Sequence, residues 1–508
     1  MKVLFTAAIA LLVLAAGCIT TPSETPAAAA DVPMDLASTA AIVHGAAGAA
    51  VAWPAGLVAA AGGAYHTGLP AAEPTIGTTS DGSIFMTANT INPTCATVSC
   101  PALPYANFNA GPTLVRSQDK GQTWVDVFPK LPTGDSYKLR TWDPMVVVDR
   151  ATDRVFMDDI YPIGCGFMSW SDDAGESWMH NPASCGNPNV NDHQTVGTAK
   201  PRMLPTTIYP NLVYRCVNNG ALSACAVSLT GGQTFLPQIP VAPQSGCGGI
   251  TGHLESDSEG RMFLPMSCPG NAAALAMTED DGQSWSILTI SEENPSHGLH
   301  VDIAIDEADN VYALWESEGL PWFAASTDHG ATWTKPLMVG APGVTLIKFN
   351  AIDAGAPGKV AFAYVGTTIP DAQELPGSQC GALPALPCSD PEEWASATWN
   401  AYVGVMTDAL SAAPVIQTVT ANDPADPLAR GACADRCHGM TDFIDIRIDA
   451  EGRPWASFVD VCVAECVTDA ETLFDGNLGL VATTAAGPAL RGEIAALPVL
   501  AKQIEASE

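Results

Sequence analysis

The chain has 508 residues, of which 47% are hydrophobic, and it contains 45 Gly and 40 Pro. This length and composition exclude a disordered chain and favour one large β-rich domain built from repeats. With 21 basic against 54 acidic residues, the net charge is −33, and such a field repels nucleic acid and anionic membranes. We therefore expect no nucleic-acid partner.

The N-terminus carries the pattern of an export signal. Residues 1–18, MKVLFTAAIALLVLAAGC, have a basic Lys2, a short apolar stretch and small residues before Cys18. The ending LAAGC resembles the lipobox of prokaryotic lipoproteins, in which the cysteine is lipidated; an ordinary signal peptide with a chance cysteine is the alternative. Residues 19–35 have the composition of a flexible tether. We expect an exported protein, held by lipid alone at the cell surface or periplasmic face of a prokaryotic membrane.

The Ala- and Gly-rich segment 36–70 is ambiguous in its pattern. It either supplies a closing strand to the last repeat of the domain or packs on the rim. The domain itself is expected over residues 71–487. The tail 488–508 either forms a short helix or lacks regular structure.

One octet recurs five times along the domain. The copies are SQDKGQTW from Ser117, SDDAGESW from Ser171, SLTGGQTF from Ser228, TEDDGQSW from Thr278 and STDHGATW from Ser326. They start 54, 57, 50 and 48 residues apart, a period typical of propeller blades or solenoid coils. A strand-like run precedes each octet and a second tight turn lies further upstream, so each repeat predicts a four-stranded antiparallel unit.

The residue types of the octet explain a turn rather than a reaction. The Asp carboxylate accepts backbone N–H groups, Gly allows a positive φ, and Trp or Phe returns the chain to the core. The pattern resembles the Asp-box (BNR) repeat S-x-D-x-G-x-[TS]-[WF] of sialidase-like β-propellers, although the third copy has Thr230 in place of Asp. The expected structural residues are Asp119, Gly121, Trp124, Asp173, Gly175, Trp178, Asp280, Gly282, Trp285, Asp328, Gly330 and Trp333.

The repeats predict an all-β fold, a β-propeller of four-stranded antiparallel blades. Seven units are counted, at 72–127, 140–181, 192–238, 250–288, 299–336, 346–409 and 441–487. The last two keep the strands but lack the octet. Seven blades are therefore favoured, and six are the alternative because sialidases have six.

The cysteines predict disulfides on one face. In a blade, the turns after the first and third strands lie at one end, the bottom face; the remaining loops and the blade-to-blade connections lie at the top face. Fourteen cysteines besides Cys18, an even number in an exported chain, fall in top-face segments. The expected pairs are Cys95–Cys100, Cys165–Cys185, Cys216–Cys225, Cys247–Cys268 and Cys380–Cys388, with Cys433, Cys437, Cys462 and Cys466 pairing among themselves. Ordered loops lose less entropy on binding, which favours a binding surface over stabilisation alone.

Polar residues recur where the innermost strands are expected to begin. The candidates for lining the central channel are His193, His253, Glu255, His300, Asp302, His438 and Asp442. Such a ring could bind a divalent metal or act as acid and base, whereas channel residues can equally be hydrogen-bonded to one another and to water. On this interpretation the protein requires no cofactor. The cofactor that these residues could hold is a divalent metal in the central channel.

The Asp-box resemblance implies a site to be tested residue by residue. Sialidases carry an arginine-bearing FRIP motif on the first blade, two further arginines that clamp the substrate carboxylate, an Asp acid and a Tyr–Glu nucleophile pair. Here Pro74 matches the motif, but Ala72 and Glu73 stand where Phe-Arg-Ile should lead into it, so the defining arginine is missing. A substitute set would be Arg140, Arg215 and Arg436 as clamp, Tyr161 as nucleophile, and Asp143 or Asp192 as acid.

The sequence thus favours a cell-surface propeller that binds an extracellular glycan or protein through its top face. An exo-glycosidase of the sialidase superfamily is the alternative, and a structural or assembly factor is the third, since fold alone does not fix function.

Overall fold

The computed structural model describes residues 63–89, 112–130, 142–160, 163–219, 222–248, 250–296, 301–370, 372, 394–432, 437, 440, 442–469, 471–472, 474–484 and 487–491. The predicted fold class is confirmed, and the seven-blade count with it: seven four-stranded antiparallel blades form a ring. The innermost strands of successive blades pack side by side, and the last contacts the first. The chain is a seven-bladed β-propeller.

Each blade is a consecutive meander whose strands run in order from the channel outward. Blade 1 is β2 (Thr75–Thr78), β3 (Ile84–Ala88), β4 (Thr113–Ser117) and β5 (Val125–Asp126); blade 2 is β6 (Trp142–Asp149), β7 (Arg154–Ile160), β9 (Phe167–Ser171) and β10 (Met179–Asn181). Blade 3 is β12 (Asp192–Ala199), β13 (Leu212–Asn218), β14 (Ser223–Ser228) and β15 (Ile239–Pro240); blade 4 is β16 (Glu255–Ser256), β17 (Met262–Cys268), β18 (Ala272–Thr278) and β19 (Ser286–Ser291).

The remaining blades follow the same order. Blade 5 is β20 (Asp302–Ile305), β21 (Val311–Ser317), β22 (Leu320–Ser326) and β23 (Leu337–Met338); blade 6 is β24 (Leu346–Ala354), β25 (Val360–Thr367), β26 (Thr398–Met406) and β27 (Ile416–Thr420), with β28 (Ala429–Arg430) paired to β26. Blade 7 is β29 (Asp445–Ile448), β30 (Pro454–Asp460), β31 (Leu478–Thr483) and β1 (Ala64–Pro70). A small sheet pairs β8 (Ile163–Gly164) with β11 (Asn189–Val190), and a short helix covers Glu465–Thr468.

Blade 7 is closed by the strand that is earliest in the chain. Strand β1 pairs antiparallel with β31, so the two ends of the described domain share one sheet. His66 on β1 also lies 2.7 Å from the Asp460 carboxylate, measured from Nε2 to Oδ2. Burial disfavours the charged imidazole, but the hydrogen bond and charge of Asp460 outweigh it and raise the pKa of His66. The ring is thus held shut by sheet pairing and by an ion pair.

The octets form the turn that their residue types predict. In the copy at 326–333, Asp328 Oδ1 accepts the Thr332 N–H at 2.8 Å and Oδ2 accepts the Thr332 hydroxyl at 2.6 Å. The Ser326 hydroxyl accepts the Gly330 N–H at 2.8 Å. These bonds, first that of the Thr332 hydroxyl, lower the pKa of Asp328 to about 2. In the third copy, the Thr230 hydroxyl replaces the carboxylate and accepts the Thr234 N–H at 3.0 Å.

The octet glycines also bring each turn against the preceding blade. Gly121 has φ +85°, and a Cβ built there would lie 2.9 Å from Tyr65 Cδ2 of blade 7. At Gly282, with φ +83°, the same atom would lie 2.9 Å from Val227 Cγ2 of blade 3. A side chain is therefore excluded both by backbone conformation and by the neighbouring blade. The octets join blades, which accounts for their repetition.

All disulfides between described residues lie at the top face, where the innermost strands begin. They are Cys165–Cys185, Cys216–Cys225, Cys247–Cys268 and Cys462–Cys466. Cys437 is also disulfide-bonded. Cys18, Cys95, Cys100, Cys380, Cys388 and Cys433 lie outside the described residues.

The placement of three cysteines in loops was wrong. Cys216 and Cys225 face each other on the paired strands β13 and β14, and Cys268 is the last residue of β17. The strands simply extend further toward the top face than the turn signals indicated. In the described part of the chain, no helix is both long and apolar enough to cross a membrane.

Candidate functional site

Strained residues gather where the innermost strands begin. Glu73, Asp143, His193 and Phe349 have φ values of +51°, +44°, +46° and +54°, although none is glycine. Pairing registers shift at the same level in β6, β12 and β24. Left-handed backbone costs about 1–2 kcal/mol for a residue with a Cβ, and such residues cluster at functional sites. The top of the channel is therefore the candidate site.

Glu73 and Asp143 lie against each other in this strained region. The Asp143 N–H donates to Glu73 Oε2 at 3.3 Å, and Asp143 Oδ2 accepts the His193 N–H at 3.0 Å. Gln194 fixes the backbone, because its amide donates to the carbonyl oxygens of both Asp143 and Asp158. Asp143 is thus held by Glu73 on one side and by the segment that contains His193 and Gln194 on the other.

Asp143 is poised to hold a proton. Burial is the largest cause, and the charges of Glu73, Asp442 and Asp192 add to it; together they raise the pKa of Asp143 well above its ordinary range. Asp143 and Asp442 are buried, whereas Asp192 is exposed at the channel rim. The arrangement combines a carboxyl that favours its neutral form with an exposed carboxylate.

An aromatic ring separates the two described channel histidines. Phe443 meets His193 edge to face with ring centroids 5.2 Å apart, and meets His253 in the same way at 5.9 Å. All three rings are buried. This packing fixes both imidazoles against one hydrophobic surface.

His253 lies between two buried carboxylates. Its Nδ1 is 3.6 Å from Asp445 Oδ1 and 4.0 Å from Asp302 Oδ1. Burial raises the pKa of Asp302 to about 8, although Arg447 opposes the shift. Burial likewise raises the pKa of Asp445 to about 6 against the same arginine. At neutral pH Asp302 therefore favours its protonated form, whereas Asp445 is mostly ionised.

Below this level, ion pairs cross the channel. Arg447 Nη1 donates to Glu255 Oε1 at 3.0 Å, and Arg150 Nη2 donates to both oxygens of Asp353 at 2.7 Å. These pairs join blade 7 to blade 4 and blade 2 to blade 6. Glu255, expected to line the channel, is thus part of its ionic crossing.

Arg215 does not face the channel opening. Its side chain is fully buried, and its Nε donates to Asp158 Oδ2 at 2.6 Å, while the Ser184 hydroxyl donates to the other carboxylate oxygen at 2.8 Å. This geometry favours a structural role over contact with a substrate. Arg140, Tyr161, His300, Arg436 and His438 lie outside the described residues, so their predicted roles stay predictions.

The structure brings together residues that the sequence patterns did not single out. Glu73 was noted only as a departure from the sialidase motif, and Phe443, Asp445, Arg447 and Arg150 were not considered. The signal for Asp445 and Arg447 was the alternation in FIDIRID, where polar residues on an innermost strand point into a channel. Among the described residues, no three His, Cys, Asp or Glu side chains are placed to hold a metal ion.

The chain has distant similarity to several solved structures. No family model and no curated protein sequence matches the chain. Among solved structures, a protein of unknown function from Dyadobacter fermentans is similar at 13% identity and TM-score 0.40, over 83% of this chain and 97% of that one.

A trans-sialidase and a lectin are also similar to the chain. A leech intramolecular trans-sialidase is similar at 11% identity and TM-score 0.39, over 82% of this chain and 68% of that one. A lectin from Aleuria aurantia is similar at 10% identity and TM-score 0.36, over 58% and 90%. Because these sequence identities and TM-scores are low, the candidate site is assigned from the geometry of this chain alone.

Proposed function

We propose that the protein is an exported, Asp-box β-propeller, lipid-anchored through Cys18, that binds an extracellular glycan through its top face. The observation that carries this proposal is the coincidence of features at that face. Every disulfide between described residues lies there, and the strained Glu73, Asp143 and His193 lie at its centre. Rigid loops around a strained polar centre reduce the entropy lost on binding.

The charge of this centre favours a neutral or amino sugar over sialic acid. The motif arginine is missing from the segment that leads into Pro74, where Glu73 places a carboxylate instead, and the Arg215 guanidinium is fully buried in its pair with Asp158. Carboxylates accept hydrogen bonds from sugar hydroxyls, and an ammonium group would gain further from Asp192 at the rim. A carboxylate-bearing ligand would instead be repelled by Asp192.

Glycoside hydrolysis is the second candidate, and the environment of Asp143 is the observation that favours it. A general acid needs a pKa raised toward the working pH, and burial together with Glu73 supplies that shift. Hydrolysis further requires a base or nucleophile across the sugar. Glu73 contacts Asp143 directly and leaves no space for a sugar between the two carboxyl groups, so this group would have to come from a more distant residue of the top face.

Retention and release separate the two functions. The mature chain without its leader is immobilised and incubated with a mixed pool of neutral, amino and sialylated glycans, with and without chelator. Mass spectrometry then identifies what is retained and what is newly released. We expect retention of neutral or amino-sugar glycans without release. Released monosaccharide would establish the hydrolase, and Asp143→Asn should then abolish the release. A result with no retained glycan and no released sugar would contradict glycan binding.

A further inference from the structure

The lower half of the central channel is an open cavity on the bottom face. Its volume is about 440 Å³, and inner-strand ends of blades 1–5 together with Arg447 of blade 7 line it. Pockets for small organic ligands have volumes of roughly 300–1,000 Å³. The cavity is therefore large enough for a small organic molecule rather than only for a lone ion.

Arg150 supplies donors that no described protein group uses. Both of its hydrogen bonds to Asp353 come from Nη2, and in the described part of the chain nothing accepts from Nε or Nη1. The side chain is 42% exposed, and the residue lines the cavity. The guanidinium is thus held in place by one amino group while two donors remain available for a ligand.

Lys200 is a further cation of the cavity, beside Arg150 and Arg447. It follows β12 at the lower rim and is exposed, and no described carboxylate lies within ion-pairing distance of its ammonium group. The nearby acids are already engaged: Asp257 binds Arg261 at 2.7 Å, and Asp149 accepts the Asn211 amide at 2.8 Å. These acids are held by other groups, so the Lys200 ammonium group is available to a ligand.

Arg447 and Glu255 line the same cavity, so their ion pair closes it toward the upper half of the channel. From these observations we propose that the lower channel binds a small organic oxyanion, whose carboxylate or phosphate group pairs with Arg150 and Lys200. An oxyanion accepts hydrogen bonds from guanidinium N–H groups and is attracted by the charge of an ammonium group. The site is on the face opposite the disulfides and does not depend on glycan binding.

Calorimetric titration of the mature chain tests this site, with glucuronate and inorganic phosphate as the two probes. We expect saturable binding of at least one probe, weakened about tenfold in Lys200→Gln, as loss of a charge-assisted contact implies. Lys335→Gln, which removes the same charge at an exposed position outside the cavity, should bind like the unaltered chain. Preference for one probe assigns the carboxylate or the phosphate.

Arg150→Gln should abolish binding, but it also leaves Asp353 without its partner and could unfold the protein. Lys200→Gln touches no described ion pair, and a thermal melt checks that it is folded. Absence of saturable binding by both probes would overturn the proposal. So would equal affinity in the Lys200→Gln and Lys335→Gln variants.

Discussion

Arg447 of blade 7 donates a hydrogen bond across the central channel to Glu255 of blade 4, with 3.0 Å between Nη1 and Oε1. The same guanidinium lies 3.6 Å from Asp445 Oδ1. Burial alone would disfavour the charged form of Arg447, but Asp445 and Glu255 outweigh it and raise its pKa. One arginine therefore compensates several buried carboxylates from different blades.

Replacing this arginine should destabilise the ring. Arg447→Leu leaves buried carboxylates without their cation, and such a loss costs about 3–5 kcal/mol of unfolding free energy. Because Arg447 lowers the pKa of Asp302 and Asp445, the loss should be larger at pH 8, where they must ionise, than at pH 5. Urea unfolding at both pH values measures this. An equal loss at the two pH values would contradict the coupling.

The pKa of Asp302 makes stability depend on pH in an unusual direction. Its folded-state pKa of about 8 exceeds the ordinary 3.8, so between these values the folded state binds more protons than the unfolded state. Stability should therefore fall as pH rises from about 4 to about 8.

Asp302→Asn, which cannot ionise, should flatten this decline relative to the unaltered chain. Melting temperatures across pH 4–9 give the comparison. The octet carboxylates have the opposite effect at acidic pH. Their pKa values are lowered in the folded state, so stability is lost as pH falls toward about 2. If the decline of stability above pH 5 has the same slope in Asp302→Asn as in the unaltered chain, Asp302 is not the source of the decline.

The contact between octet and neighbouring blade can be separated from backbone strain. Gly121 and Gly82 both have φ +85°, but a Cβ at Gly82 meets nothing within 4 Å, whereas one at Gly121 meets Tyr65. Gly82→Ala should cost about 1–2 kcal/mol from backbone strain alone. Gly121→Ala should cost at least about 1 kcal/mol more, because overpacking is added. Equal losses in denaturant unfolding would show that the octet does not join the blades.

The Asp158–Arg215 pair predicts a structural arginine. Arg215→Met leaves Asp158 buried and unpaired, which should cost about 3–5 kcal/mol. The double variant Arg215→Met/Asp158→Leu should recover most of that stability, since apolar replacement of a buried pair is often neutral. A well-folded single variant that had lost only ligand binding would instead restore the substrate-clamp hypothesis.

What could be predicted from sequence was local chemistry. The octets are contiguous, and their Asp, Gly and aromatic residues define one turn, so the repeat predicted the blades. Cys216 and Cys225 are close in sequence and were paired correctly, although their place on strands depended on strand lengths that turn signals do not fix.

The centre of the channel could not be predicted in the same way. Arg447 and Glu255 are 192 residues apart, and Glu73 meets Asp143 across 70. These pairs depend on which blades face each other across the ring and on bulges that turn strand starts inward. Only the presence of polar residues at strand starts was visible in the sequence.

Glycan binding at the top face is tested most directly by measuring the affinity of the retained glycan for two variants. Each variant removes one negative charge, but from a different face of the propeller. Asp192→Asn alters the exposed carboxylate at the top of the channel, and Glu259→Gln alters an exposed one on the bottom face. We predict about tenfold weaker binding for Asp192→Asn, as for a lost charged hydrogen bond, and unchanged binding for Glu259→Gln. Equal affinities, or weakening in Glu259→Gln alone, would contradict binding at the top face.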